Sequence, residues 1–197
     1  MKSKIVATGV MCALLSLSMP VKAQVFWKPA DYNGGVVTGL EPGIGVPLPN
    51  ATPAEQRAAI MWNVRSGLNV AALQCGFVPT TRTLENYNGM LRNHQVELAG
   101  AFDTLSKYFK RTSKTPQAGQ KALDTYGTKT YSSFSAVAAL LDFCHVAGHV
   151  SAIGLFAPKG SFATFATERI RQLRNGMTVR GEQQFKRQGP LYIVAPK

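Results

Sequence analysis

Acidic side chains are scarce. The 197-residue chain carries 10 Asp and Glu against 22 Lys and Arg. The carboxylates are scattered, so an acid pair of the glycosidase kind would have to be assembled from distant segments. Cysteine is scarcer, with three residues, and none stands in a C-x-x-C pair. The chain has no glycine-rich phosphate loop, no G-x-S-x-G and no H-E-x-x-H. Serines cluster at Ser132, Ser133 and Ser135, but no base lies at a recognisable spacing from them. Past residue 23 no run reaches the ~18 uncharged apolar residues that suggest a membrane span, so the mature chain is expected to lack a transmembrane segment. No internal repeat or low-complexity tract is present. These absences leave no residue to assign to catalysis, and neither an enzyme nor a cofactor is expected.

What is present begins with an export pattern. Lys2 and Lys4 precede an apolar run from Ile5 to about Met19. Pro20 then breaks it, and Val21-Lys22-Ala23 places small residues where a signal peptidase reads. Residues 1–23 are expected to be a signal peptide cleaved after Ala23. Removing Lys2, Lys4 and Lys22 leaves 19 basic against 10 acidic side chains, a net +9 on 174 residues. One domain accommodates that length. The charge favours anionic partners, and it concentrates towards the end: Arg169, Arg171, Arg174, Arg180, Lys186 and Arg187 are the candidates to meet them. Basic and aromatic residues are not interleaved on one stretch, which argues against nucleic acid.

Residues 24–51 hold five Gly and four Pro and are expected to form an irregular arm, part of it lying against the body. At Thr52 the character changes. Thr52-Pro53-Ala54-Glu55 is a capping box with Pro at the first helical position. From there Ile60, Val64, Leu68, Ala71 and Cys75 share one helical face, and Gly76 and Pro79 end the helix. A second helix, from Thr81 or Thr83, carries the seam Leu84, Tyr87, Leu91, His94, Leu98, Ala101, Leu105, Tyr108 with strict three- and four-residue gaps. A third, opening at Thr115-Pro116, is expected to run to Phe156. Its seam passes through Leu123, Tyr126, Thr130, Phe134, Val137, Leu141 and Cys144, with a bend or break expected near Gly148 or Gly154. A fourth opens at Gly160-Ser161, buries Phe162, Phe165, Ala166, Ile170 and Leu173, and ends at Asn175-Gly176. Residues 52–176 thus read as an all-α up-down-up-down bundle, and 177–197 as a basic tail.

Cys75 and Cys144 are the two cysteines left after cleavage, and an exported chain pairs an even number. The topology agrees with this bond. Short links make successive helices antiparallel. Reflecting Cys144 across the bend near Ser113 brings it to about residue 82, beside Cys75. Next to Cys144, the row Asp142, His145, His149 lies one residue off the buried seam. Two histidines at i and i+4 can share a metal, and Asp142 would make a third ligand for Zn or Cu. The alternative is two flank histidines with Asp142 as charge partner. His94 lies about 20 Å from that row along the bundle and pairs more naturally with Glu97.

Asn69-Val70-Ala71-Ala72-Leu73-Gln74-Cys75, then Tyr87-Asn88-Gly89-Met90-Leu91 with His94 and Glu97-Leu98, and Phe143-Cys144 carry a resemblance. Over roughly residues 61–144 the chain resembles a group of small exported helical proteins of alphaproteobacteria, sphingomonads among them. The resemblance implies a Gram-negative periplasm and a helical fold, and it carries over no functional residue. The expectation is a non-catalytic periplasmic binding or accessory protein of the cell envelope, with an envelope protein or an anionic lipid or glycan as partner. A metal-binding protein using Asp142, His145 and His149 is the alternative.

Overall fold

A computed structural model describes residues 32–135 and 137–179. The expected signal peptide, with its expected cleavage after Ala23, and the candidate residues Arg180, Lys186 and Arg187 lie outside the described residues. The fold is all-α. Its helices are α1 (Pro53–Gln74), α2 (Thr83–Asn93), α3 (Gln95–Thr112), α4 (Pro116–Ser132), α5 (Leu140–Phe156) and α6 (Phe162–Asn175), with short 3-10 turns at Cys75–Phe77, Pro79–Thr81 and Val137–Ala139. Among the described residues no helix is long and apolar enough to cross a membrane.

The capping box starts α1. Thr52 N–H donates to Glu55 Oε2 at 2.7 Å and Glu55 N–H to Thr52 Oγ1 at 3.3 Å. The expected face (Ile60, Val64, Leu68, Ala71, Cys75) is buried, and so are Ala58, Ala59, Asn63, Ser66 and Val70. A helix buried on most sides belongs at the centre, and α1 touches each of the other five. Around it α2 packs on α5, α3 on α4 and α5 on α6.

Two expected long helices are each broken once, so four become six. The second breaks at His94, whose φ and ψ of −112° and 21° lie outside the helical region. The third breaks over residues 133–139, not at its glycines. There Phe134 turns fully inward against Gly67, where a Cβ would stand 2.6 Å from its ring. Gly148 and Gly154 stay inside α5 and serve close approach instead. A Cβ at Gly148 would lie 2.6 Å from Thr81 Cβ, and one at Gly154 2.8 Å from the Phe165 ring.

The arm from Tyr32 onward lies on the body. Val37, Ile44 and Leu48 join the core. Val37 N–H bonds to Thr167 O at 3.1 Å, and the Tyr108 hydroxyl bonds to Pro49 O at 2.9 Å. Cys75 and Cys144 form a disulfide with their Cα atoms 5.5 Å apart, a common native spacing, which ties the end of α1 to α5.

Candidate binding site on the face of α5

Asp142-Phe143-Cys144-His145-Val146-Ala147-Gly148-His149-Val150 alternates by helical phase. Phe143, Cys144, Val146, Ala147 and Val150 point into the core. His145 and His149 are exposed one turn apart, and Asp142 is half-buried. Because Gly148 has no side chain, the Pro79–Thr81 turn sits directly on α5. That contact forms one wall of a polar groove of about 460 Å³, lined by Thr80, Thr81, Arg82 and Asn86 from the turn and α2, and by His145, Gly148, His149 and Ala152 from α5.

The turn is held from within. Thr81 Oγ1 donates to Val78 O at 2.7 Å, and Asn86 Nδ2 to Thr81 O at 3.4 Å. Arg82 at the groove has φ of 47°, a left-handed conformation that costs a side-chain-bearing residue energy. His149 and Ala152 also line a second groove, of about 590 Å³, together with Ile153, Phe156, Ala157, Pro158 and Phe165. Phe156 is 83% exposed. Glu168 and Arg169 of α6 stand at the side of this groove, and the Arg169 Nε is buried with no hydrogen-bond partner. The two grooves meet at His149, so polar and apolar surfaces follow each other along one helix.

The histidines and Asp142 do not assemble a metal centre. Among the described residues no group of three or more His, Cys, Asp or Glu is placed to hold a metal ion. The i, i+4 spacing does put both imidazoles on one strip, but the facing wall offers threonines, an amide and the Arg82 guanidinium. A fixed cation there opposes a second one. Cys144 is spent in the disulfide.

The basic residues of α6 divide. Arg169 faces the apolar groove. Arg171 lies under the arm, where a Cβ on Gly34 would come within 2.4 Å of its own Cβ. Arg174 turns inward, which corrects its assignment to an anionic partner. Its Nε donates to Ile44 O at 2.9 Å, its Nη1 to Ser133 O at 2.9 Å, and its Nη2 to Asn63 Oδ1 and Ser133 Oγ, each at 3.1 Å. Burial lowers its pKa to about 10, which leaves it charged at neutral pH. Arg169 and Arg171, two positions apart, face different ways, and Arg174 is withdrawn by its own bonds, so a run of arginines in sequence is not a patch in space.

His94 is fully buried. Its Nδ1 lies 2.7 Å from Glu97 Oε2, and its Nε2 3.1 Å from the Gly154 carbonyl oxygen, so it stands beside α5 five residues past His149, and the expected separation of about 20 Å from the histidine row does not hold. The carbonyl only accepts, so Nε2 carries a proton. Glu97 also accepts from Phe162 N–H at 2.7 Å and Gly160 N–H at 3.0 Å. Burial pushes the Glu97 carboxyl up, but the bonds from His94, Phe162 and Gly160 outweigh it and hold the pKa below its ordinary value. The pair expected from spacing exists, and it joins the α2–α3 break to the start of α6.

No family model, curated protein or solved structure matches the chain. The groove walls from residues 80–86 were not singled out in the sequence. The signal available was the threonine-rich turn after Pro79, which ends in an arginine just before a helix.

Proposed function

We propose that the chain is an exported, non-catalytic binding or accessory protein of the cell envelope, and that it engages an anionic envelope component along the face of α5. The observation that carries this reading is the joined pair of grooves. They present Arg82, His145, His149 and Arg169 with Glu168 as the lone carboxylate, and the apolar strip through Ile153, Phe156 and Phe165 runs beside them. An anionic lipid head group on the cationic end, with the first part of an acyl chain on the strip, complements that arrangement. The buried, unpartnered Arg169 Nε is a donor awaiting an acceptor.

Export is supported by the leader pattern of residues 1–23 and by a disulfide, which persists in oxidising compartments. The resemblance to exported alphaproteobacterial proteins points the same way, to a periplasm. The non-catalytic reading rests on the sequence, which offers no nucleophile with a base at recognisable spacing.

The test is co-sedimentation of the mature chain with phosphatidylcholine vesicles and with vesicles that also contain phosphatidylglycerol. Binding is expected to the anionic vesicles alone, to weaken as salt rises, and to fall in the Arg82→Ala/His149→Ala double variant. Equal binding to both vesicle types, or no effect of the double variant, would remove the α5 face from the proposal. Deleting residues 177–197 measures the basic tail's share separately.

A further inference from the structure

The break at His94 has a consequence on the far end of the α2 seam from the disulfide. It leaves an open groove of about 470 Å³ between α1 and the α2–α3 elbow, lined among others by Trp62, Arg65, Leu91, Arg92, Leu98 and Phe102. We propose that this groove is a second ligand site, and that it takes a single-chain amphiphile with a carboxylate head, a free fatty acid being the simplest. None of these residues belongs to the α5 face.

Three observations carry the proposal. The floor is apolar and aromatic. The Trp62 and Phe102 rings lie 5.0 Å apart, and Phe102 is 43% exposed although it extends a buried seam. The cations beside it lack carboxylate partners: ion pairs among the described residues join His94 to Glu97, Lys107 to Asp103 and Arg111 to Glu55, never Arg65 or Arg92. Arg65 is also held in place, its guanidinium 4.9 Å over the Trp62 ring and one Nη donating to the Tyr131 hydroxyl. That bond uses one of five donors. A half-buried guanidinium, set against two aromatic rings and with no carboxylate partner among the described residues, is suited to a bidentate carboxylate.

The volume selects the size of the guest. It falls in the range of about 300–1,000 Å³ typical of small-molecule sites. The apolar strip Leu91, Leu98 and Phe102 offers room along one line, as one alkyl chain requires. The head then meets Arg65, with Arg92 close by on the lining, and the chain covers Trp62 and Phe102.

Trp62 makes the site readable. It is one of two tryptophans, so the full mature chain carrying Trp27→Phe has one indole, and that indole is in the groove. The probe is dodecanoate brominated near its tail, kept below its micelle concentration, with its methyl ester as the neutral control. Saturable quenching by the carboxylate is expected. It should weaken about tenfold or more in Arg65→Gln, the loss of one charge-assisted contact, and disappear in Phe102→Asp, a change at an exposed position. Circular dichroism confirms that both variants are folded. Quenching by the ester equal to that by the acid, or no saturable quenching in the Trp27→Phe chain, overturns the proposal. Vesicle binding through Arg82 and His149 is read in different variants, so either site can fail alone.

Discussion

The Arg174 guanidinium carbon sits 3.7 Å from the centre of the Phe134 ring. Each of the two residues explains the other's position. Phe134 turns fully inward from a link whose next residue, Ser135, is exposed, and Arg174 covers its face while bonding to the backbone of the same link at Ser133. The arginine also reaches Ile44 of the arm and Asn63 of α1. A single cation, with neutral oxygens and a ring as its partners, thus joins three segments far apart in sequence.

Arg174→Ala is therefore expected to destabilise the protein by about 3 kcal/mol, because several buried acceptors lose their donor at once. Arg174→Lys should recover only part of this, since an ammonium cannot span the planar fork. Urea denaturation of the two variants measures both. A cost below about 0.5 kcal/mol for alanine, the range of ordinary surface changes, would mean that the core does not depend on this contact.

The disulfide closes a separation of 69 residues. In the chain-entropy account this contributes about 4 kcal/mol, a large part of a typical stability of about 5–15 kcal/mol. Cys75→Ser or Cys144→Ser should lower the melting temperature by well over about 5 °C, given about 2–4 °C per kcal/mol for a chain of this size. Both single variants should also lose the same amount, since either leaves one free thiol in the core. Calorimetry that shows a shift near zero would mean the bond is not structural.

How much of this was legible in the sequence differs by scale. Local signals were reliable. The Thr52–Glu55 box starts α1, and of the α2–α3 seam Tyr87, His94, Leu98, Ala101, Leu105 and Tyr108 are buried, while Leu91 is half-buried and Leu84 is 50% exposed. The breaks were not legible. His94 and residues 133–139 include neither glycine nor proline, and their interruptions are stabilised by distant partners: the Gly154 carbonyl for His94, Gly67 and Arg174 for the Phe134 link. Beyond the break in the third helix Cys144 stays buried, but Leu141, also drawn on the seam, is 50% exposed. Of the candidate site, the exposed strip of His145 and His149 followed from their offset from Cys144. The walls facing them come from residues 80–86 and from α6, which helical periodicity within α5 could not reveal.

The Glu55–Arg111 pair predicts an acid-dependent contribution. Arg111 Nε and Nη2 reach Glu55 Oε1 and Oε2 at 2.9 and 2.6 Å, joining the end of α3 to the start of α1. The Arg111 bond, helped by the capping bonds from Thr52 and opposed by burial, lowers the Glu55 carboxyl from 4.5 to about 2. A depressed carboxyl stabilises the fold above its unfolded pKa, and that contribution is lost as pH falls through the folded value. The stability difference between wild type and Glu55→Gln should then be constant above about pH 5 and close between about 4.5 and 2. A difference that does not change across that window would show that the carboxylate charge is not what holds the two helix ends together.

Glu97 makes the last prediction, because it serves two elements. It accepts from His94 at the α2–α3 break and from the Gly160 and Phe162 amides at the start of α6. Ser161, at the N-cap of α6, makes no side-chain capping bond. Glu97→Ala should therefore cost more than a simple cap, which is worth about 1 kcal/mol, since His94 Nδ1 is left buried without its acceptor. Glu97→Gln keeps an oxygen for the amides but loses the charge that His94 faces, so its cost should be intermediate. Hydrogen exchange separates the two contributions. In Glu97→Ala the amides of Gly160 and Phe162 should exchange faster than those in the middle of α6. In His94→Ala those two amides should stay protected while the α2–α3 junction loosens. Uniform acceleration across α6 in both variants would mean that Glu97 supports only the general packing of the bundle and not the helix end it contacts.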